Sequence, residues 1–220
     1  MKYNIILVRH GQSTYNLENK FTGWKDVDLT EKGVNEAIEC ASLLKKYNID
    51  ICYTSNLMRA QKTLDLVLKN MNQYPEIIKN EALNERDYGD LIGKNKADTA
   101  LKYGDKQVEI WRRSYDTPPP NGESLKMTCD RVNPYFNDFI LSKISSLNDK
   151  ANILISAHGN SIRAIVMHIL NFTPELILKT EIGWCEPWVF SYKDNNLTDF
   201  KILTRSENSN SYLPIKLNFS

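Results

Sequence analysis

The sequence predicts an α/β fold with a mainly parallel central sheet, and three observations carry that reading. Short apolar, β-branched runs alternate with longer segments whose apolar residues recur at helical spacing, the pattern of strands joined by crossover helices. Two of these runs lead directly into His-Gly, at His10-Gly11 and His158-Gly159, although the chain has only three histidines. Its 220 residues, 41% hydrophobic and 25% charged, suffice for one substantial core, and no linker divides them. Residues 1-205 are therefore expected to form a single domain, with 206-220 as a C-terminal tail.

The first strand is "NIILV", Asn4 to Val8. A polar, aromatic loop, "NLENKFTGWKDVDL", leads to a helix that opens near Thr30 and turns Val34, Ala37, Ile38, Ala41 and Leu44 inward. Ile49 to Ser55 reads as the next strand, followed by a helix that buries Leu57, Ala60, Leu64, Val67, Leu68 and Met71. From Asn80 to Tyr115 the periodicity weakens over a stretch too long for an ordinary connection, so a functional excursion with short helices is expected. Pro118 to Pro120 ends it. Ser124 can cap a helix to about Ile144 with Val132, Phe136, Phe139 and Ile140 inward, although Pro134 conflicts with a regular helix. The run Ile153 to Ile155 and a helix carrying Ile162, Ile165, Val166, Ile169 and Leu170 follow, then two closing strands in "PWVFSY" and "FKILTR". The tail reads either as a frayed terminus or as a flap over a site.

Charge and cysteine usage narrow the function classes. With 28 basic and 27 acidic residues the net charge is +1, so nothing points to a nucleic-acid binder, and any anion site must be local. Cys40, Cys52, Cys129 and Cys185 lack the spacing of a zinc site or a disulfide framework, which suits the reducing cytoplasm. The N-terminus has no signal-like apolar region and no stretch nears the ~20 apolar residues of a membrane span. The phosphate-loop, dinucleotide, nucleophile-elbow and zincin motifs are all absent.

In open α/β sheets ligands bind outside the carboxyl ends of the strands, and Arg9 and His10 stand at such an end. A histidine can act as nucleophile in phosphoryl transfer if one ring nitrogen is unprotonated, which requires the other to donate to a fixed acceptor. Gly11 beside it permits a tight turn. Arg59, at the start of the helix after the second strand, comes to the same edge, and guanidinium groups match phosphate oxygens bidentately. His158 opens the last long helix, where Gly159 and Asn160 offer backbone N–H groups and the positive end of the helix dipole; as an imidazolium it would stabilise transition-state charge. An acid is also needed, and the excursion supplies Glu85 or, alternatively, Asp87. Arginine neighbours would lower the Glu85 pKa while burial would raise it. His168 sits mid-helix and reads as structural.

The stretches "LVRHGQSTYN", "FTGW", "YTSNLMRAQKT", "LNERDYG", "WRRSYDTPPP", "GES" and "SAHGNSIRA" together resemble the histidine phosphatase superfamily over about residues 3 to 193. Within it, Lys96, "WRR" and "FTGW" look like the family of 2,3-bisphosphoglycerate-dependent phosphoglycerate mutases. The resemblance implies a Rossmann-like three-layer sandwich, phosphoglycerate mutase-like, in which His10 carries a phosphoryl group, Glu85 donates and accepts the proton and His158 stabilises the transition state, with Arg9 and Arg59 completing the catalytic set. By the same matching Arg9, His10, Gly11, Gln12, Ser13, Thr14, Tyr15, Asn16, Thr22, Gly23, Arg59, Glu85, Arg86, Asp87, Tyr88, Lys96, Arg112, Arg113, Gly159 and Asn160 would line the substrate site. It also implies interconversion of 3- and 2-phosphoglycerate in glycolysis and gluconeogenesis, primed by 2,3-bisphosphoglycerate, with no metal, and small phosphorylated three-carbon acids as the partners; a homo-oligomer is left open.

Three features depart from the family pattern. Gln12 stands where glutamate is commoner, Asn121 alone separates "PPP" from "GES", and "IGWCEP" (Ile182 to Pro187) replaces an expected Ile-Pro-Thr-Gly-x-Pro. A mutase needs a second cationic patch for a doubly charged ligand, and "WRR" is the candidate. Neighbouring arginines diverge by about 100° in a regular helix, so Arg112 and Arg113 are expected in an irregular segment. Two rivals compete with the mutase: a broad phosphomonoesterase, and an idle phosphoester-binding protein on the same fold. A binding module has no need for an acid, so Glu85 argues against the second.

Overall fold

The computed structural model describes residues 1–205 and 209–219; the part of the tail at 206–208 and 220 lies outside the described residues. Among the described residues, strands β1 (Lys2–Arg9), β2 (Ile51–Thr54), β3 (Glu76–Lys79), β4 (Ala151–Ala157), β5 (Trp188–Lys193) and β6 (Asn196–Ile202) form one sheet in the order β3-β2-β4-β1-β5-β6. The first four are parallel, and β5 and β6 run antiparallel at one edge. The helices are α1 (Thr14–Leu17), α2 (Glu31–Leu44), α3 (Met58–Met71), α4 (Lys96–Tyr103), α5 (Asp105–Arg113), α6 (Leu125–Tyr135), α7 (Ser142–Ile144), α8 (Gly159–Leu170) and α9 (Pro174–Lys179).

Side chains alternate across a strand, and both faces of this sheet are covered, which is why the central strands read as unbroken apolar runs. Ile6 and Val8 of β1, with Cys52 and Leu154, pack against Ala37, Cys40, Ala41 and Leu44 of α2 and Leu64, Val67 and Leu68 of α3. On the other face Ile5, Leu7, Tyr53, Ile153 and Ile155 meet α6, α8 and Ile177 of α9. The result is the three-layer sandwich. Strands β1 and β4 lie side by side in register, Arg9 opposite Ala157, yet the helices after them cover opposite faces. A crevice opens at such a switch point, and here it lies beyond the ends of β1 and β4, over His10 and the start of α8.

Thr30 and Ser124 cap α2 and α6 as expected, their hydroxyls accepting from the Gly33 and Met127 amides. The proline conflict resolves by a change of helix type. Pro134 sits inside α6 and has no N–H to donate; residues Phe136–Leu141 continue as a π-helix before α7 closes the run. That widening rotates Phe139 out of the expected core: it is 62% exposed, stacked on Tyr135. Ile38 is likewise exposed, since the inward face of α2 is already completed by Ala37, Cys40, Ala41 and Leu44. Strand β3 has no counterpart in the sequence reading; it is an edge strand of four mostly exposed residues and carries no alternation. The β5–β6 hairpin turns on Asp194 and Asn195, both with positive φ, as a tight primed turn requires.

The excursion after β3 does contain short helices, including α4 and α5. It folds over the sheet edge on a small core of its own, Phe21, Leu91 and Val108 with Tyr88, Ala100 and Trp111 packed on them. Arg112 and Arg113 are not in an irregular segment: they form the last turn of α5. Beyond β6, Tyr212 exchanges backbone hydrogen bonds with Glu181, and Ser211 accepts from the Gly183 amide and the Trp188 indole.

Candidate active site

His10 stands at the carboxyl end of β1, its amide tied to the Ala157 carbonyl of β4 at 3.0 Å. Gly11 then brings the loop backbone against α2 so closely that a Cβ there would collide with the Gly33 carbonyl; close approach, rather than a special turn, demands glycine. The Gly11 carbonyl accepts from His10 Nδ1 at 2.7 Å, which fixes the tautomer and leaves Nε2 unprotonated. Burial, and after it the charges of Arg59 and Arg9, hold His10 well below its usual pKa despite that hydrogen bond. It is a buried neutral imidazole, as a nucleophile must be.

Arg59 comes from the first turn of α3 and is 1% exposed. Its guanidinium is aimed by the carbonyls of Gly23 (2.9 Å) and Lys25 (3.1 Å), while Nε donates to His10 Nε2 at 3.3 Å. Burial pulls its pKa down to about 10, so it stays charged at neutral pH. Gly23, with φ of +52°, is what lets the "FTGW" loop turn that carbonyl toward Arg59. Trp24 pins the loop by donating to the Glu85 carbonyl at 2.6 Å. Arg9 donates to the Ile182 carbonyl at 2.8 Å and lies 5.4 Å from the centroid of the Trp184 ring. The departing segment "IGWCEP" therefore holds Arg9 from outside the cavity, and its tryptophan faces the guanidinium.

His158 lies one strand over, its ring 5.1 Å from that of His10, with Nε2 2.7 Å from the Ser55 hydroxyl. It was expected to be an imidazolium. Here burial, then the neighbouring Arg59, His10 and Arg9, hold it well below its usual pKa and keep it neutral. Its Nδ1 is buried without a partner. Glu85 is 9% exposed, and its Oε1 accepts from the amide of Arg86 (2.8 Å) and from the amide (3.1 Å) and side chain (3.0 Å) of Asn160. Burial alone would raise its pKa, but the Arg86 amide, the charges of Arg59 and Arg9 and the Asn160 side chain outweigh it and hold the carboxyl ionised.

These groups open into a cavity of about 170 Å³, room for a compact metabolite. Arg9, His10, Asn16, Thr22, Gly23, Arg59, Glu85, Tyr88, Lys96, Arg112, Arg113, Gly159 and Asn160 line it, as the sequence led one to expect. Both arginines of α5 reach it from its final turn, where a half-exposed guanidinium has length enough to offset the divergence of neighbouring side chains. Gly11, Gln12, Ser13, Thr14, Tyr15, Arg86 and Asp87 are not in the lining, and neither is fully buried His158, which reaches the site only through its contact with His10. Ser13 caps α1, Gln12 accepts from Thr30, and Arg86 lies over the Tyr88 ring and donates to the Arg112 carbonyl. Asp87, the alternative acid, accepts from the Gly89 amide instead. Lys20, Phe21, Arg163 and Glu181 join the lining unforeseen. Arg163 had a signal, standing one helical turn after Gly159; Glu181 had none. Among the described residues no group of three or more His, Cys, Asp or Glu is placed to hold a metal.

The model of the histidine phosphatase superfamily (branch 1) matches residues 5–201. A 2,3-bisphosphoglycerate-dependent phosphoglycerate mutase of Parvibaculum lavamentivorans is 50% identical over 193 residues, 86% of this chain and 90% of its own. One from Bradyrhizobium diazoefficiens is 53% identical over 84% of this chain and 90% of its own. Among solved structures, a mycobacterial glucosyl-3-phosphoglycerate phosphatase superposes with a TM-score of 0.77 at 21% identity, covering 92% of this chain and 97% of that one, a likeness of fold. The chain belongs to the histidine phosphatase superfamily and, within it, to the family of 2,3-bisphosphoglycerate-dependent phosphoglycerate mutases.

Proposed function

We propose that the protein is a phosphoglycerate mutase, an isomerase that interconverts 3- and 2-phosphoglycerate through phosphorylated His10, primed by 2,3-bisphosphoglycerate. One observation carries the reading: the neutral, oriented His10 shares its cavity with a second set of cations, Lys20, Lys96, Arg112 and Arg113, that transfer of a single phosphate would not require. The donor set suits a polyanion. Seven arginines and lysines line the cavity against two glutamates, and Arg9 Nε is buried without a partner.

When bound, 2,3-bisphosphoglycerate supplies the phosphoryl group that charges His10. Arg9 and Arg59 hold the equatorial oxygens of a phosphoryl group in line with His10 Nε2. As the P–N bond at His10 breaks and a P–O bond forms to the hydroxyl of a phosphoglycerate, ionised Glu85 accepts that hydroxyl's proton. In the reverse sense Nε2 attacks the phosphate on the neighbouring oxygen, and protonated Glu85 returns the proton to the oxygen that leaves. An arriving phosphoryl anion would raise the pKa of His158 and let it share the equatorial charge. The outer cations hold the second anionic group during the exchange. Four buried free cysteines suit a cytoplasmic setting.

The test is turnover of 3-phosphoglycerate with and without 2,3-bisphosphoglycerate. The expected product is 2-phosphoglycerate, formed at a rate that rises steeply with the primer. Glycerate and inorganic phosphate as the main products, independent of primer, would overturn the reading in favour of a phosphomonoesterase.

A further inference from the structure

Glu181 is an acid in a pocket otherwise shaped for an anion. Its two carboxylate oxygens are divided: Oε1 pairs with Arg113 at 2.8 Å and Oε2 with Arg163 at 2.8 Å. The two pairs are not equivalent. Arg163 is 12% exposed and also donates to the Thr180 carbonyl, so it is fixed in the wall. The Arg113 side chain is 44% exposed, and it extends from the end of α5. The helix end itself is held, because the Arg112 carbonyl accepts from buried Arg86. What can move is the side chain alone. Glu181 cannot follow it far: its backbone exchanges both hydrogen bonds with Tyr212.

We infer that Glu181 is an anionic latch on ligand binding: it holds Arg113 against the cavity wall until the second anionic group of the substrate or primer displaces it and takes Arg113 over. The inference rests on the mutase reading above, because only a ligand with a second anionic group reaches Arg113. An exposed ion pair is weak enough to be exchanged for a charged ligand, while the carboxylate left behind stays paired with Arg163. The latch keeps the outer cations from binding the ligand so tightly that the product cannot leave. It also discriminates: a lone phosphate, seated at Arg9, Arg59 and His10, never meets it.

The test is calorimetric titration of the full chain in a His10→Ala background, where no phosphoryl transfer occurs, with 2,3-bisphosphoglycerate and with inorganic phosphate. Glu181→Gln should tighten binding of the bisphosphate about fivefold, equivalent to about 1 kcal/mol, and leave inorganic phosphate within twofold. In an Arg113→Ala background the same substitution should give no gain, since nothing is left to unlatch. Looser or unchanged bisphosphate binding, an equal gain for both ligands, or a gain that persists without Arg113 would overturn the latch. Failure of the underlying reading has a different signature: without any substitution at Glu181, the bisphosphate would bind no tighter than inorganic phosphate, and the latch would fall with it.

Discussion

The inner and outer halves of the cavity are built on opposite terms. The inner half, His10, Arg59 and Glu85 with the ring of His158 beside His10, is 9% exposed or less, and backbone groups of the strand ends and loops aim His10, Arg59 and Glu85. The outer half, Lys20, Lys96, Arg112 and Arg113, projects from the loop and excursion helices, and both partners of the Arg113–Glu181 pair are more than two-fifths exposed. Chemistry demands fixed geometry and dry surroundings, whereas capture, turning and release of a small polyanion demand side chains that can let go. One fold supplies both by setting the first at the strand ends, with Glu85 brought there from the base of the excursion, and the second on the loop and excursion helices that cover them.

The sharpest break of that contrast is at the nucleophile. Replacing His10 with alanine should abolish mutase turnover, by on the order of 10⁴-fold or more, together with an acid-labile, alkali-stable label from 2,3-bisphosphoglycerate. Label at undiminished yield in that variant would move the nucleophile elsewhere. Glu85→Gln should cost roughly 10²- to 10⁴-fold in turnover while leaving bisphosphate affinity within a few fold, because Asn160 can still donate to the amide oxygen. A loss confined to affinity would make Glu85 a binding group.

Acid stability separates the halves without any ligand. Both inner histidines are held neutral by burial, with folded pKa values well below their usual 6.5, so the unfolded chain takes up protons first as pH falls. Stability should therefore be level above about pH 6.5 and decline below it, by about 1.4 kcal/mol per pH unit for each histidine until the folded form also titrates. Glu85 works in a lower window. Its folded pKa is depressed below its usual 4.5, so its contribution is present above that value and is lost only as pH falls through the folded pKa. Urea midpoints at pH 7.0, 6.0 and 5.0 should show the decline, and His10→Asn and His158→Asn should each flatten it; a slope that neither substitution changes would place the titration outside the site.

How much of this was legible in the sequence follows the same division. His10, Arg59 and His158 were readable because each follows a strand run and precedes or opens a helix, and in an α/β sheet that context dictates position. The opposing pulls on Glu85 could be named but not weighed, since the outcome depends on Asn160 and on the Arg59 and Arg9 charges, which only folding brings to it. Lys20 and Glu181 come from a loop and a non-helical segment with no periodic pattern, so nothing local announced their convergence. Strand β3 escaped for a related reason: a short, exposed edge strand need not alternate. The regular α5 helix was misjudged because divergence of neighbouring side chains was weighed without the reach of an arginine.

The smallest effect sharpens the comparison most. Arg113 is the outermost cation with a defined partner, and it lies on the side of the cavity that a single phosphate at His10 does not need. Its bond to a charged ligand group would be worth roughly 1.5–3 kcal/mol if fully buried, but its exposure and its pairing with Glu181 place it at the low end, about tenfold in affinity. Arg113→Ala should therefore raise the KM for 3-phosphoglycerate and the primer concentration needed for half-maximal rate by about tenfold. Hydrolysis of a small phosphomonoester with no second charge should be unchanged. Equal losses on both substrates would place Arg113 at the transferred phosphoryl group and merge the two halves into one site. No loss on either would leave Arg112 and Lys96 as the cations that hold the second anionic group, and would confine Arg113 to its pairing with Glu181.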